Sequence, residues 1–473
     1  MRKEHDFLGE IEIPDDAYYG VQTLRAMENF RITGYTADPL FIKALGMVKK
    51  AAALANMKIG LLDKTIGIAI VQACDDIITG KLNDHFPTDP IQGGAGTSFN
   101  MNTNEVICNR ALEILGHPRG EYEYINPNNH ANMSQSTNDV IPTAIRVCAL
   151  MHAEKLLDAL SKLADAFEKK GEEFKDVLKI GRTHLQDAIP MTLGLEFNAF
   201  ASSMRRRVAR VRRNSELLHI INMGATAVGT GLNADPAYIK EVSEQLALVT
   251  GENFQTADNL VDATSNTDIF TDIMSSLKVT ALALIKISND LRLMASGPRA
   301  GFAEIQLPAR QPGSSIMPGK VNPVIPEVVD QTCYQVIGNE LAVTLGVENG
   351  QFQLNVMEPV MAYNIFNSFR FLTNAVNTLR THCVEGIVAN RENCEEWLNR
   401  SVGIVTALLP HIGYETCSKM AKEALATGKG IKELLIEKQV LSKEDLDIIL
   451  APEQMTRPGI AGKELLKKMC AEA

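Results

Sequence analysis

The sequence predicts a mainly α-helical protein in which a central bundle of long helices is flanked by two smaller domains. Three observations carry that reading. The 473 residues are 45% hydrophobic and 22% charged, the balance of a globular chain long enough for two or three cores. In the middle of the chain, apolar residues recur at three- and four-residue steps over long stretches with few breakers. On either side of that region the pattern changes, at about residue 139 and again at about residue 392. The expected division is therefore 1–138, 139–392 and 393–473.

From the start, Asp6 to Gly20 reads as short extended segments and turns, followed by shorter helices and two Gly/Asn-rich loops. The first long helix is expected over 142–170. Pro142 suits a first turn, and Ile145, Cys148, Leu156, Leu160, Leu163 and Phe167 form the apolar stripe. Lys169-Lys170-Gly171 closes it with cations favoured by the helix dipole and a glycine free to turn left-handed. A second helix is expected over 268–295, where Phe270, Met274, Leu277, Ala281, Leu284 and Leu291 alternate steps of four and three until Gly297-Pro298. At about 1.5 Å per residue it is a rod of roughly 42 Å. Further long helices are expected over 195–221, 326–347 and 362–379. Helices of this kind, apolar on more than one face, pack into a bundle, and apolar sides left over meet identical bundles from other subunits. After residue 392, Gly428-Lys429-Gly430 reads as a turn, 431–437 as an amphipathic piece, and Ser442-Lys443-Glu444-Asp445 as a helix-starting box.

Composition excludes several function classes. Lys+Arg is 47 against 57 for Asp+Glu, a net charge of −10, whereas a nucleic-acid binder shows a basic excess. The arginines between Met204 and Arg213 wrap around one helix, so they read as a salt-bridged helix or a subunit contact. The eight cysteines form no CxxC pair and no Cys/His cluster with zinc-ligand spacing. No apolar run approaches the roughly 18 residues of a membrane span. Acidic residues near Met1 interrupt what would be the apolar stretch of a signal peptide. The expectation is a reduced, cytoplasmic protein that binds neither membrane nor nucleic acid.

Four polar segments interrupt the apolar pattern: Gly93 to Ser98, Asn132 to Asp139, Gly181 to Asp187, and Gln311 to Pro323. Singly, the first three have plain readings. Asn138-Asp139 caps a helix by base rate. Gly93–Gly96 is a flexible turn or a backbone nest for an anion, without the spacing of a nucleotide loop. A lone histidine such as His184 is more often structural than catalytic. The fourth is harder to dismiss, because a linker does not need Lys320 and a helix cap does not need both Ser314 and Ser315. Its composition fits a mobile lid carrying polar groups onto a ligand.

The loop Gly313-Ser314-Ser315-Ile316-Met317-Pro318-Gly319-Lys320-Val321-Asn322-Pro323 resembles the signature of the aspartase/fumarase superfamily, and the other three segments match its remaining active-site regions in order. The resemblance spans essentially the whole chain. It implies three domains, a central long-helix bundle, and a homotetramer whose active sites are shared between subunits. Gly94-Ala95-Gly96-Thr97-Ser98, Ser136-Thr137-Asn138-Asp139 and Leu354-Asn355-Val356-Met357-Glu358-Pro359 resemble the aspartase branch. Fumarases tend to carry Ser-Ser-Asn-Asp at the second place and Phe-Lys-Pro at the third. A class II fumarase is the nearest alternative, and a crystallin-like scaffold on the same fold is the alternative from another class.

The reaction so implied is the reversible conversion of L-aspartate to fumarate and ammonium. It removes a weakly acidic proton beside the β-carboxylate, and the carbanion survives only as an aci-carboxylate with an extra negative charge. Catalysis must stabilise that carboxylate more in the intermediate than in the ground state, which aimed hydroxyl, amide and N–H dipoles do. By resemblance and by chemistry, Thr97, Ser136, Thr137 and Ser315 form this cradle. Residue types alone point to His184 as general base, since its pKa lies near working pH. The resemblance assigns that role to Ser314, with Thr183 and His184 contacting the amino group and α-carboxylate. Lys320 and Asn322 suit the α-carboxylate, and Asn138 the ammonium. No cofactor is expected, because the substrate's own β-carboxylate acidifies the proton. No metal is assigned: the resemblance allows divalent activation in some aspartases, but no ligand cluster in the sequence places an ion.

Overall fold

The structure, a computed structural model, describes residues 1–466. Cys470 and the last part of the expected 393–473 domain lie outside the described residues. An antiparallel pair, β1 (Arg2–Asp6) and β2 (Gly9–Ile13), leads into α1 (Val21–Asn29), α2 (Pro39–Lys58), α3 (Lys64–Ile78) and α4 (Thr97–Ile114). Then come α5 (Thr137–Glu173), the hairpin β3 (Leu178–Thr183) and β4 (Gln186–Thr192), and α6 (Leu193–Ser215). The short strand β5 (Ile220–Ile221) pairs in parallel with β6 (Gln255–Thr256), on either side of α7 (Pro236–Thr250). Next are α8 (Leu260–Ser265), α9 (Ile269–Met294), β7 (Ile305–Gln306), α10 (Val324–Glu348) and α11 (Glu358–His382). β8 (Val388–Ala389) pairs antiparallel with β7. The chain continues through α12 (Arg391–Arg400), α13 (Leu409–Thr427), α14 (Ile431–Glu437), α15 (Lys443–Ile449) and α16 (Pro452–Met455). The architecture is mainly helical, with long helices at the expected places.

The boundaries show where local chemistry overrode periodicity. α5 starts at Thr137, five residues before the proline expected to open it, because Ser136 and Asp139 make a reciprocal capping box. The Ser136 hydroxyl accepts the Asn138 N–H at 3.2 Å, and Asp139 Oδ1 accepts the Ser136 N–H at 2.9 Å. Pro142 thus lies inside the helix, where it cannot donate to the Asn138 carbonyl. The Asn222 side-chain amide takes that place at 3.0 Å. α6 ends at Ser215, short of the expected 221. There the Ser215 hydroxyl donates back to the Val211 carbonyl at 2.9 Å, and the β-branched pair Ile220-Ile221 goes into a strand.

The chain divides into two compact units. One comprises Met1–Ala159, Arg207–Leu282 and Gln331–Asn374; the other comprises Leu160–Arg206, Ala283–Asp330 and the residues from Ala375 onward. In the first unit α2 packs on α3 and α7 through small apolar residues such as Ala44, Ala51 and Ala55. The N-terminus of α1 has no cap of its own. Glu105 of α4 supplies one from a distance, accepting the N–H groups of Gly20, Gln22 and Thr23 and the Thr23 hydroxyl, while Glu4 of β1 accepts the Val21 N–H. Gly20 is required there, since a Cβ would lie 2.5 Å from Glu4 Oε2. Burial nevertheless pushes the Glu105 carboxyl up to about 7.

In the second unit, Leu398, Ile404, Leu408, Met420, Leu434, Leu435, Leu446 and Ile449 form an apolar core with Ile180 of β3. The box expected at residue 442 is present, with the Ser442 hydroxyl accepting the Asp445 N–H at 3.0 Å. On α6, Arg205 pairs with Asp165 and Glu168 of α5, the salt-bridged helix that the basic run suggested.

Candidate active site

Four of the expected site residues lie in the first unit. Thr97 opens α4 after two glycines at positive φ, Gly94 (87°) and Gly96 (86°), which fold the chain tightly enough for the Thr97 N–H and hydroxyl to reach the Gly94 carbonyl at 2.9 and 2.7 Å. Ser136, Thr137 and Asn138 form the start of α5. Ser136 and Thr137 line a cavity of about 450 Å³ together with Asn100, Asn132, Gln135 and Thr226.

The hydrogen bonds behind this wall decide how its hydroxyls point. Asn100 Nδ2 donates to Thr137 Oγ1 at 3.2 Å, and the Asn138 N–H donates to Ser136 Oγ. Each oxygen accepts one bond and donates none among the described residues, so its proton is free to be offered to a ligand. The Thr97 hydroxyl differs: it must release the Gly94 carbonyl before it can donate elsewhere. Asn138 spends its Nδ2 on the Ala227 carbonyl at 2.7 Å, leaving Oδ1 as an acceptor. Two polar atoms of the lining, Asn100 Oδ1 and Thr226 Oγ1, are buried without a hydrogen-bond partner among the described residues.

Sequence reasoning missed the supports of this wall. Asn132 Oδ1 accepts from Lys49 Nζ (3.0 Å), Asn100 (3.1 Å) and Asn104 (3.2 Å), and Lys49 also donates to Gln135 Oε1 at 2.9 Å. Lys49 is fully buried, and burial pulls its ammonium down to about 7 despite the attraction of Asp139. Burial likewise pushes the Asp139 carboxyl up to about 7, against the N–H groups of Ser136, Thr226 and Gly224 and the nearby Lys49. Two signals were available. Asn100, Asn102 and Asn104 alternate through a helix where asparagine is a poor former, and Lys49 sits beside the Ala-rich run of α2.

The second unit holds the other expected residues. Thr183 and His184 are exposed at the tip of the β3–β4 hairpin, and neither side chain makes a hydrogen bond among the described residues. The two-residue turn is formed by His184 and Leu185, both at positive φ (55° and 59°), a conformation that histidine adopts more readily than leucine. Lower in the hairpin the register slips by one between Ile180 and Arg182, opposite Gly181. A Cβ at Gly181 would sit 2.9 Å from the Ile189 carbonyl.

A buried ion cluster anchors the hairpin stem. The fully buried Glu304 carboxylate pairs with Lys179 at one oxygen (2.7 Å) and accepts from Arg182 at the other (2.6 Å), and Lys179 also meets Glu196 at 2.6 Å. Burial works against the Lys179 ammonium, but the two carboxylates hold it above its ordinary value. Arg182 lies over the Phe302 ring at 4.3 Å.

The 313–322 segment is a loop closed at its neck. The Gly313 N–H reaches the Lys320 carbonyl at 2.7 Å, and Asn322 Nδ2 donates to the Gly313 carbonyl at 2.8 Å. Asn322 therefore holds the loop together in this conformation. Inside, Ser314 Oγ accepts the N–H groups of Ile316 (3.2 Å) and Met317 (3.0 Å). Ser315, Pro318, Gly319, Lys320 and Val321 face solvent, and Ile316 is 83% exposed. The structure thus gathers Ser136 and Thr137 on one cavity wall of the first unit, and gathers Ser314 and Asn322 within one loop of the second.

Comparison with known proteins gives a consistent result. Residues 9–338 match the lyase family, and residues 404–457 match the family of the fumarase C C-terminus. An aspartate ammonia-lyase from Bacillus sp. is 57% identical over 98% of this chain and 99% of its own length. A solved fumarate lyase:delta crystallin from Brucella melitensis, bound to cobalt, is 51% identical, with a TM-score of 0.95 over 97% of this chain and 100% of that one. A class II fumarase from Schistosoma mansoni superposes with a TM-score of 0.92 over 97% of this chain and 99% of its own, at 36% identity. On these likenesses, and on the helices and loops that carry them, the chain belongs to the lyase family of the aspartases and fumarases.

Proposed function

We propose that this chain catalyses the reversible deamination of L-aspartate to fumarate and ammonium by β-elimination through an aci-carboxylate intermediate. The observation that carries the reading is the cavity wall at the start of α5, where Asn100 and the Asn138 N–H leave the Thr137 and Ser136 protons free to meet a carboxylate. The 57% identity to an aspartate ammonia-lyase, against 36% to the fumarase, favours ammonia over water as the leaving group. Fumarate absorbance followed separately with aspartate and with malate tests it. Turnover of aspartate is expected, and turnover of malate alone would transfer the reading to a fumarase.

In this mechanism Ser314 abstracts the β-proton. A serine alkoxide needs stabilisation, and the Ile316 and Met317 N–H groups on Ser314 Oγ supply two aimed donors. Thr97, Ser136, Thr137 and Ser315 receive the charge that develops on the β-carboxylate. Asn138 Oδ1, with Thr183 and His184, receives the ammonium, while Lys320 and Asn322 hold the α-carboxylate. Lys320→Ala is expected to raise KM for aspartate roughly 10–100-fold with little change in kcat, the scale of one charged hydrogen bond. Steady-state kinetics check this, and a large kcat loss at unchanged KM would place the lysine in the transition state.

Assembly belongs to the same proposal: a homotetramer with active sites shared between subunits. Tyr334, Leu341 and Leu345 of α10 are 57%, 58% and 50% exposed along one side of the helix, an apolar face for a neighbouring copy to cover. A cytoplasmic location fits the cysteines, since the seven described ones are all buried free thiols. Among the described residues no helix is long and apolar enough to cross a membrane. In this proposal 1–138, 139–392 and 393–473 remain the three domains.

A further inference from the structure

In the first unit, away from the cavity wall above, Asp38, Cys148 and His152 bring one oxygen, one sulfur and one nitrogen within 4.8 Å of one another. We propose that these three residues form a binding site for a divalent cation of the zinc class, with a fourth position open to water. Cys148 and His152 are four residues apart on α5, so both project from one helix face, the spacing by which a single helix offers two ligands. Asp38 comes from the N-cap of α2. Oxygen, nitrogen and thiolate donors suit zinc and cobalt rather than magnesium or calcium, which take oxygen ligands.

The geometry is that of a site with its centre left out. His152 Nε2 stands 3.5 Å from Asp38 Oδ1, too long for a good hydrogen bond. That separation is close to the edge of a tetrahedron with bonds of about 2.0–2.2 Å, which is roughly 3.4 Å. The His152 side chain is 7% exposed, and its Nε2 has no hydrogen-bond partner among the described residues, an orphan that a metal would satisfy. Phe366 and Phe369 stack near the imidazole at 5.8 and 6.2 Å and fix its plane. Arg370, half exposed, approaches Asp38 Oδ2 at 3.5 Å, while Oδ1 accepts the Leu40 N–H at 2.8 Å and keeps its second lone pair for the cluster. Asp38 and Phe366, though not Cys148 or His152, also line a cavity of about 440 Å³. A thiol ligates as the thiolate, so binding expels the Cys148 proton to solvent as the sulfur–metal bond forms.

Cobalt(II) titrated into the metal-stripped full-length protein tests this without reference to catalysis. The expected result is one equivalent per chain, with a near-ultraviolet thiolate-to-cobalt band, intense visible bands of tetrahedral cobalt, and release of a proton. Zinc should displace the colour. Cys148→Ser should abolish the charge-transfer band, and His152→Gln should weaken binding at least tenfold, each variant first shown to keep wild-type circular dichroism. Should Cys148→Ser fail to fold, His152→Gln and Asp38→Asn carry the same comparison. A wild-type protein that develops no thiolate band, or a band that survives these substitutions, overturns the proposal.

Discussion

Replacing Ser314 with alanine is expected to lower kcat by about 10²–10⁴, the range of a positioned general base, with helicity and assembly unchanged. The loss should fall on chemistry, because among the described residues the Ser314 hydroxyl binds only the N–H groups of Ile316 and Met317 inside its own loop. Those groups lie in an exposed segment, so water can replace the hydroxyl at little cost in stability. The neck of the loop, closed by Gly313 with Lys320 and by Asn322, does not involve the Ser314 side chain. Steady-state kinetics with circular dichroism and size-exclusion chromatography measure both halves of the expectation. Near-normal turnover would return the base to His184, which residue types alone suggested.

Thr137→Val should lower kcat by about 10²–10³, the loss seen when one donor to a developing oxyanion is removed. Valine keeps the shape of threonine and deletes only the hydroxyl. In the native wall, Asn100 Nδ2 divides its donation between Thr137 Oγ1 and Asn132 Oδ1. In the variant it retains Asn132, so the wall stays hydrogen-bonded and the deficit isolates the missing proton donor. KM should move far less than kcat, because the hydroxyl acts mainly on the charge that develops during deprotonation. A loss of less than about threefold would remove Thr137 from the cradle.

Much of this molecule is legible in its sequence. The long helices announced themselves through apolar spacing, which is a local signal, and 431–437 appears as α14 with the expected bounds. The starts and stops were less legible because they depend on side chains reaching back to the main chain: the Ser136–Asp139 box moved the start of α5, and Ser215 ended α6 early. Within the candidate site, hydroxyl- and amide-rich composition marked the four segments, while the resemblance to the superfamily singled out Ser136, Thr137 and Ser314 within them. Lys49 and Asn132 were silent because their importance lies in one acceptor shared by donors from α2 and α4, a relation that no local pattern encodes. Asp38 was silent for the same reason: a screen for paired cysteines and histidines passes over a ligand set whose third member is far away in the chain.

The distant cap on α1 has a consequence for how the chain reaches this state. A nine-residue helix without its own cap is marginal in water, and here its terminal N–H groups are satisfied by carboxylates on β1 and α4. The order of events follows from that dependence. α1 is expected to consolidate with β1 and α4 rather than ahead of them, so substitutions between Val21 and Asn29 should speed unfolding more than they slow folding.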